Sequence, residues 1–481
     1  MRPESVFALL VFCLPLWPQT PAPLKLKIGD VTVSGAWRTR LEVWDWFEGD
    51  ADNAYPFLGS LFRVSFGQQN ENFDWQLEAA LPVLLGLPDN AIALGGQGQL
   101  GFGGTYFAAN DRSRNAALPF AKQAFLRFKN LGGSAAQSFR VGRFEFIEAT
   151  ETAPANATVA AVKRDRIAHR LIGNFGWTHV GRSLDGVHYT HNTPHQNFTF
   201  VGARPTRGVF QVDGWGELDI ALLYGAYTRP VKSAGAGELR VFGIYYDDWR
   251  DVVKTDNRPL AARRGDMDQI RIGTFGGNYT HVFEPAAGAI DVMVWGALQT
   301  GDWGRQSHRA GSIAVEAGYQ PKAAWRPWVR AGFQHSSGDG DTTDDRHGTF
   351  FQILPTPRWY ARYPLYNQMN IQDAFAELIL RPHRALAIRS ELHWLRLANA
   401  NDLWYQGGGA FQPWTFGYIG RPSSGARGLG TLWDISGDYQ VNANVSLGGY
   451  FAVVQGKRVV SALYPRGDDA HLGYVELGYR F

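Results

Sequence analysis

Arginine is the residue type best placed to do chemistry in this 481-residue chain, and its spacing is regular. Arg38, Arg40, Arg63, Arg127, Arg140, Arg271, Arg330, Arg389 and Arg480 sit in short runs where polar and apolar residues alternate. Glu42, Glu78, Glu316, Glu377, Glu391 and Glu476 take polar places in the same kind of run. Arg143, beside Gly142, and Arg182 extend the set. If such runs are strands, the charged residues of each share one face. A guanidinium is always charged, and its planar fork matches carboxylates and phosphates. Arginines gathered on one wall would attract an anionic solute, and interspersed glutamates would keep its binding weak enough for release. Opposite charges on one wall can also pair into ladders that only hold its shape. The two readings can coexist.

Other groups invite their own chemistry. Lys163, Arg164, Arg166 and Arg170 form a basic loop cluster, which can be solvated or can fold inward. Arg358 and Arg362 interleave with Trp359, Tyr360 and Tyr363, which suits stacking on a sugar or an aromatic belt at a membrane interface. Asp339, Asp341, Asp344 and Asp345 crowd together with Gly338 and Gly340. Such an oxygen-rich loop suits calcium, although the twelfth-position glutamate of a hand-type loop is absent. His335 and Ser337 resemble the His-x-Ser motif of outer-membrane phospholipase A. The asparagine that should follow is Gly338, and neither a third member nor an oxyanion site is identifiable. The expectation is no enzyme and no cofactor, with calcium at the acidic loop the single exception.

The elements that must position these residues are strands. From Val31 to Trp44, one face carries Val33, Trp37, Leu41 and Val43 and the other Thr32, Ser34, Arg38, Arg40 and Glu42. At the end of the chain, Val475, Leu477, Tyr479 and Phe481 oppose Tyr474, Glu476 and Arg480. The same period predicts eighteen strands, near 31–44, 61–67, 75–81, 124–129, 139–146, 183–192, 196–204, 216–227, 238–248, 268–282, 288–300, 310–320, 326–337, 371–381, 385–398, 429–441, 444–456 and 469–481. Short turns near Asn70, Gly132, Thr193, Gly235, Pro285, Lys322, His383 and Asn442 separate long loops, notably 82–119, 147–182, 248–267, 338–370 and 399–428. An even strand count, turns on one side and loops on the other mark an all-β chain, a transmembrane antiparallel up-and-down β-barrel. Its last strand must close on its first, because lipid cannot satisfy an open edge. The charged face is then the lumen, since an Arg or Lys in mid-bilayer costs about 2–4 kcal/mol.

Composition agrees without deciding the environment. The 56 Gly, 17 Trp, 19 Tyr and 30 Phe suit strands with aromatic girdles, and equally a secreted sandwich or propeller. Mean hydropathy is -0.24, and beyond the N-terminus no eighteen-residue apolar run suggests a helical span. Met1-Arg2, the apolar stretch from Val6 to Trp17 and the following Pro18-Gln19-Thr20-Pro21-Ala22 read as a signal peptide over 1–22, leaving 23–481 as one barrel. Cys13 is the only cysteine and lies in that leader, so the mature chain would have no disulfide, which suits an oxidising periplasm. A net charge of +3 is too small to argue for a nucleic-acid partner.

Two stretches carry a family resemblance. One is Gly173-Asn174-Phe175-Gly176-Trp177-Thr178-His179-Val180-Gly181-Arg182-Ser183-Leu184-Asp185-Gly186-Val187. The other runs from Ser337-Gly338-Asp339-Gly340-Asp341 through Asp344-Asp345, Gly348-Thr349-Phe350-Phe351 and Leu354-Pro355-Thr356. With the Gly142-Arg143-Phe144-Glu145 corner and the closing strand, they resemble the alginate export family of bacterial outer-membrane proteins, from about Val31 to Phe481. The resemblance implies an eighteen-stranded barrel in the outer membrane that passes an anionic polysaccharide outward through an arginine-lined lumen. Arg38, Arg40, Arg63, Arg127, Arg140, Arg143, Arg182, Arg330 and Arg389 are the candidates for that lining. Expected partners are the anionic polysaccharide or another anionic solute, outer-membrane lipid and periplasmic export proteins. A general or nutrient-uptake porin is the rival reading; a barrel hydrolase or an adhesin are more distant ones.

Overall fold

The computed structural model describes residues 26–356 and 362–481. The leader expected at 1–22, with Cys13, and the residues Arg358, Trp359 and Tyr360 lie outside the described residues. Eighteen antiparallel strands close into one barrel. They are β1 (Val31–Asp45), β2 (Ala54–Gln69), β3 (Phe73–Leu85), β4 (Phe120–Lys129), β5 (Gln137–Phe144), β6 (Leu184–Asn192), β7 (Asn197–Pro205), β8 (Ile220–Val231) and β9 (Ala236–Asp248). The second half is β10 (Ile270–Phe283), β11 (Gly288–Trp303), β12 (Gln306–Pro321), β13 (Trp328–Ser336), β14 (Ile371–His383), β15 (Leu386–Leu397), β16 (Gly428–Gln440), β17 (Val445–Gly456) and β18 (Asp469–Arg480). Each strand pairs with its sequence neighbour, and β18 closes on β1 with Arg40 opposite Glu476 and Trp37 opposite Tyr479. Gly35 and Phe481 exchange two backbone hydrogen bonds of 3.0 Å, so the terminal aromatic locks that seam.

The fold is apolar on the outside. Leu41, Val43, Phe62, Val64, Phe275, Leu298, Ile313, Val315 and Val475 are exposed on the outer wall, while Arg40, Glu42, Arg330 and Glu377 are buried inside. This alternation places apolar side chains in lipid, while strand pairing and closure of the barrel satisfy the backbone groups of the strands. No helix among the described residues is long and apolar enough to cross a membrane.

At one end the strands are joined by short turns, for example 70–72, 193–196 and 384–385. At the other end the connections are long, and they fold into the barrel rather than away from it. The 86–119 connection contributes α1 (Gly101–Ala109), whose Phe102 and Tyr106 pack on Phe210 at ring distances of 4.7 and 5.0 Å. The 145–183 connection contributes α2 (Ala157–Val162), capped by the Asn156 side chain and running into a π-turn at Lys163–Ile167. With 337–370 and 398–427, these segments fill the lumen with buried aromatics such as Tyr106, Phe175, Phe351 and Trp404, and α2 reaches the short-turn end, where Asn156 donates to Glu284 at 2.8 Å.

Strand order agrees with the sequence expectation; strand ends and two facings do not. β2 starts at Ala54 rather than near 61, because Tyr55 and Phe57 face inward onto the plug and hide the alternation. β11 and β12 run on until only Gly304 and Arg305 separate them, where a longer break is expected from the sequence. Arg271 faces outward, not into the lumen: Ile270 and Ile272 are buried inside and set the phase of β10. It sits at the rim, 3.8 Å from Asp247, where lipid exposure of a charge costs little. Arg143 also faces away from the lumen, on the same side of β5 as the exposed Val141.

Gly142 is required by that β5 corner. Its φ is +119°, and a Cβ there would collide with the Ala124 carbonyl oxygen. Gly142→Ala should destabilise the β4–β5 pairing by about 1–3 kcal/mol. The check is the urea midpoint of the folded, heat-modifiable band on a gel; an unchanged midpoint would contradict the strain.

Candidate functional site

The barrel wall presents its charges to the plug; Arg240 of β9 meets Glu148 at 3.0 Å and Glu151 at 3.6 Å, and three further networks hold other inward arginines. The first joins β1 and β18 to the 145–183 segment. Arg40 donates to Glu476 at 2.9 and 2.6 Å and to the Trp177 carbonyl at 3.2 Å, and lies between the Trp177 and Tyr474 rings at 4.3 and 4.7 Å. Glu42 accepts from the Trp44 indole at 3.0 Å and faces His179 Nε2 at 3.3 Å. Arg38 donates to the Gly176 carbonyl at 2.7 Å and also to that of Thr178.

The second network lies on β2 to β5. Arg63 donates to Glu78 and to Glu145, each at 2.6 Å, and Glu145 accepts from Asn174 at 3.0 Å. Nearer the short turns, Arg127 donates to Asp74 at 2.9 Å, and Lys129 lies 2.8 Å from the same carboxylate. Arg140 meets no carboxylate among the described residues; it contacts His188 Nδ1 at 2.9 Å and stacks over Phe144 at 4.1 Å.

The third network is the densest. Glu316 takes hydrogen bonds from Arg166 at 2.8 Å, Arg170 at 3.1 Å and Arg330 at 3.1 Å. Arg330 also reaches Asp291 at 2.5 Å and Glu377 at 3.7 Å. Arg389 bridges Asp165 of the plug at 3.0 Å and Glu377 of the wall at 3.2 Å. The loop cluster Lys163, Arg164, Arg166 and Arg170 therefore folds inward. Its cations are spent on Glu238, Asp165, Glu316 and Glu391.

Of the nine candidate lining arginines, Arg38, Arg40, Arg63, Arg127, Arg140, Arg330 and Arg389 do project into the lumen. Arg143 does not; Asp185 holds it in a bidentate pair at 2.7 and 2.6 Å on the outward side. Arg182 is inside but on a connection, where it donates to the carbonyls of Gly409 at 3.2 Å and Pro355 at 3.3 Å and so ties three segments together. The residues that sequence reasoning does not single out are the plug's partners: Glu145, Asp165, Trp177 and Tyr474. The only sequence hint to them is Glu145 in the quoted corner and Trp177 in the quoted glycine-rich stretch.

Burial separates two kinds of arginine. Arg40, Arg330, Arg166 and Arg170 are sealed between wall and plug. Arg38, Arg127, Arg362, Arg389 and Arg164 keep 17–30% of their side-chain surface open. Glu476 and Asp438 are open to a similar degree. The open part of the lumen thus presents cations from both wall and plug, and they outnumber these accessible anions.

The acidic loop does not gather its carboxylates. Asp339 Oδ1 accepts the Asp341 amide at 3.2 Å, Asp341 Oδ1 accepts the Thr343 amide at 2.9 Å, and Asp344 Oδ1 accepts the Arg346 amide at 3.1 Å. The Asp345 carbonyl pairs with Ser307. Closeness in sequence is used for successive turns, and no three acidic or histidine side chains converge as a metal site among the described residues. Calcium at this loop therefore has no preformed cage. At the catalytic-looking pair, His335 Nδ1 faces the Gln372 amide at 3.1 Å, and the Ser337 hydroxyl accepts the Gly311 amide at 3.1 Å.

Asp402 is the carboxylate that the outer segments share. It accepts the Asp339 amide at 2.9 Å, Thr349 Oγ1 at 2.6 Å and the Tyr405 hydroxyl at 2.8 Å. Burial pushes its carboxyl up to about 6, against the opposing pull of those hydrogen bonds. The folded form therefore binds protons more tightly than an unfolded loop, and loop stability falls as pH rises from the ordinary carboxylate range through about 6. Hydrogen exchange of the Asp339 and Leu403 amides, corrected for intrinsic rate, should be slower at pH 5 than at pH 7.5. Equal protection at both would contradict the linkage.

A closed eighteen-stranded barrel with an apolar exterior and a charged interior is a channel-type protein of the bacterial outer membrane. The alginate export family model matches residues 102–453, and the chain belongs to that family. The family is one of channels, not enzymes. Among curated protein sequences none matches significantly. Solved structures share the fold at low identity. OccK9 (OpdG) of Pseudomonas aeruginosa has a TM-score of 0.57 and 10% identity, covering 94% of this chain and 98% of that one. OccAB2 of Acinetobacter baumannii gives 0.57 and 8%, with 94% and 98% covered. OpdK of Pseudomonas aeruginosa, solved with vanillate, gives 0.54 and 8%, with 93% and 98% covered.

Proposed function

We propose that this outer-membrane channel passes an anionic polysaccharide of the alginate type, a chain of linked uronates, through the arginine-lined lumen. The observation that carries the reading is a set of partly open arginines, Arg38, Arg127 and Arg389 on the wall and Arg164 and Arg362 on the plug. Each can exchange its paired carboxylate for a solute carboxylate. Each guanidinium stays partly open to solvent, so a solute carboxylate can compete for it and a chain can move from one to the next. Membership of the alginate export family supports the polymer as cargo. The plug must move for a polymer to pass, because the lumen is packed with aromatic side chains.

A second reading is passage of small carboxylates. It is favoured by the same plug, which leaves little room for a polymer, and by the likeness to a barrel solved with vanillate. Planar-bilayer recordings separate the two. Oligouronates added to the periplasmic side should produce blockades whose dwell time grows with chain length. Blockade by a single uronate as strong as by an octamer would overturn the polymer reading and leave the small-solute one.

A further inference from the structure

We propose that the outer wall of β10–β12 binds a phosphorylated lipid of the outer leaflet. Its phosphate would be held by Arg309 and Arg346, and its acyl chains would lie on Phe275 and Leu298. A groove of ≈ 760 Å³ lies here, between the strands and the 337–370 segment. Its floor is made by cross-strand neighbours: Phe275 opposite Leu298, Leu298 opposite Gly311, and Thr300 opposite Arg309. Gly311 leaves the wall dented, since a Cβ there would come within 3.1 Å of Leu298.

Depth in the membrane fits this ligand. Phe275 and Phe283 are eight residues apart on β10, and both face outward. At about 3.3 Å per residue and about 40° tilt, they lie about 20 Å apart along the membrane normal. Phe283 and Tyr319 form the girdle at the short-turn end. The apolar band is about 25 Å tall, so it ends just above Phe275 and Leu298. Arg309 stands one step higher, at headgroup level.

Two cations at the groove supply the contact for a phosphate. Most lumen arginines are matched by a carboxylate, whereas Arg309 and Arg346 make no ion pair among the described residues. Both line the groove together with the exposed Phe275 and Leu298 of the outer wall. Asp339, Asp341 and Asp344 line it too; Asp339 is buried, and their Oδ1 atoms accept from the Asp341, Thr343 and Arg346 amides, which fixes the turn that presents Arg346. Two guanidiniums above two exposed apolar side chains match an acylated sugar phosphate, the lipid of the outer leaflet, better than a free anion.

The test is titration of the detergent-purified barrel with bis-phosphorylated lipid A, followed by native mass spectrometry. EDTA is included so that metal bridging to Asp341 or Asp344 does not contribute. The wild type should retain the lipid, and the double variant R309A/R346A should bind at least about tenfold more weakly. Lipid A stripped of phosphate should bind the wild type as weakly, and millimolar inorganic phosphate should fail to displace the lipid. Equal binding by the double variant, or equal binding of the stripped lipid, overturns the proposal. Full displacement by inorganic phosphate overturns it in favour of a free-anion site. Both arginines are exposed, so the variant keeps its fold, and heat-modifiable migration verifies this.

Discussion

Glu316→Ala should raise the single-channel conductance several-fold while the barrel itself stays folded. Glu316 is the point where plug and wall share most charge: it accepts from Arg166 and Arg170 of the plug and from Arg330 of the wall. Its side chain is 1% exposed, so its loss leaves guanidiniums in a dry site short of one carboxylate. Removing one partner of a buried pair costs about 3–5 kcal/mol. The backbone ladders of β11 to β14 do not pass through this side chain, so the cost falls on plug docking. The plug is loosened rather than expelled, because Arg166 keeps Glu391 at 3.5 Å and Arg170 keeps Gln334 at 3.1 Å. Recordings should then show bursts of a higher-conductance state. Amide exchange over 163–171 should accelerate in parallel. Glu316→Gln keeps an acceptor without the charge and should give a smaller effect. Wild-type conductance together with wild-type protection in Glu316→Ala would rule out this docking site as a gate.

The strands are legible in the sequence because lipid enforces one apolar face on each. Leu41 and Val43 against Arg40 and Glu42 give the phase of β1, and Val475 and Tyr479 against Glu476 give that of β18. The signal fails where the inner face is apolar too. Ile270 and Ile272 pack inward on the plug, so β10 reads with its faces exchanged and Arg271 is assigned to the wrong side. Tyr55 and Phe57 shorten the apparent β2 for the same reason. The wall half of the site is legible, since the charges must avoid lipid. The plug half is not: Arg166 and Glu316 are 150 residues apart, and alternation carries no information about which loop enters the lumen. Inward-facing acids on β12, β14 and β15 without enough neighbouring cations, set against four cations in one loop, are the only compositional hint. At the acidic loop, closeness along the chain suggests a metal site, whereas Asp339, Asp341 and Asp344 each accept the amide two residues on.

Arg38→Glu should reverse the ion preference of the open channel. Arg38 is one of the few lumen cations still in contact with water, and Glu476 lies 3.8 Å away. The substitution changes the local charge by two units and places two carboxylates side by side where a cation had balanced one. A unit charge about 7 Å from a passing anion is worth about 0.6 kcal/mol at the dielectric of water, so the reversal is worth about 1.2 kcal/mol, about sevenfold in relative anion occupancy. The reversal potential across a salt gradient reads this directly. The effect should shrink between 0.1 M and 1 M salt, as the screening length falls from about 10 Å to about 3 Å. Arg38 also donates to the backbone carbonyls of Gly176 and Thr178, so the substitution can loosen the plug as well. Arg38→Gln separates the effects: it weakens the same plug contacts but changes the charge by one unit, and so should shift selectivity about half as far on a free-energy scale. Equal selectivity shifts in the two variants would mean that plug movement, not charge, sets the preference. No shift in either would remove Arg38 from the solute path.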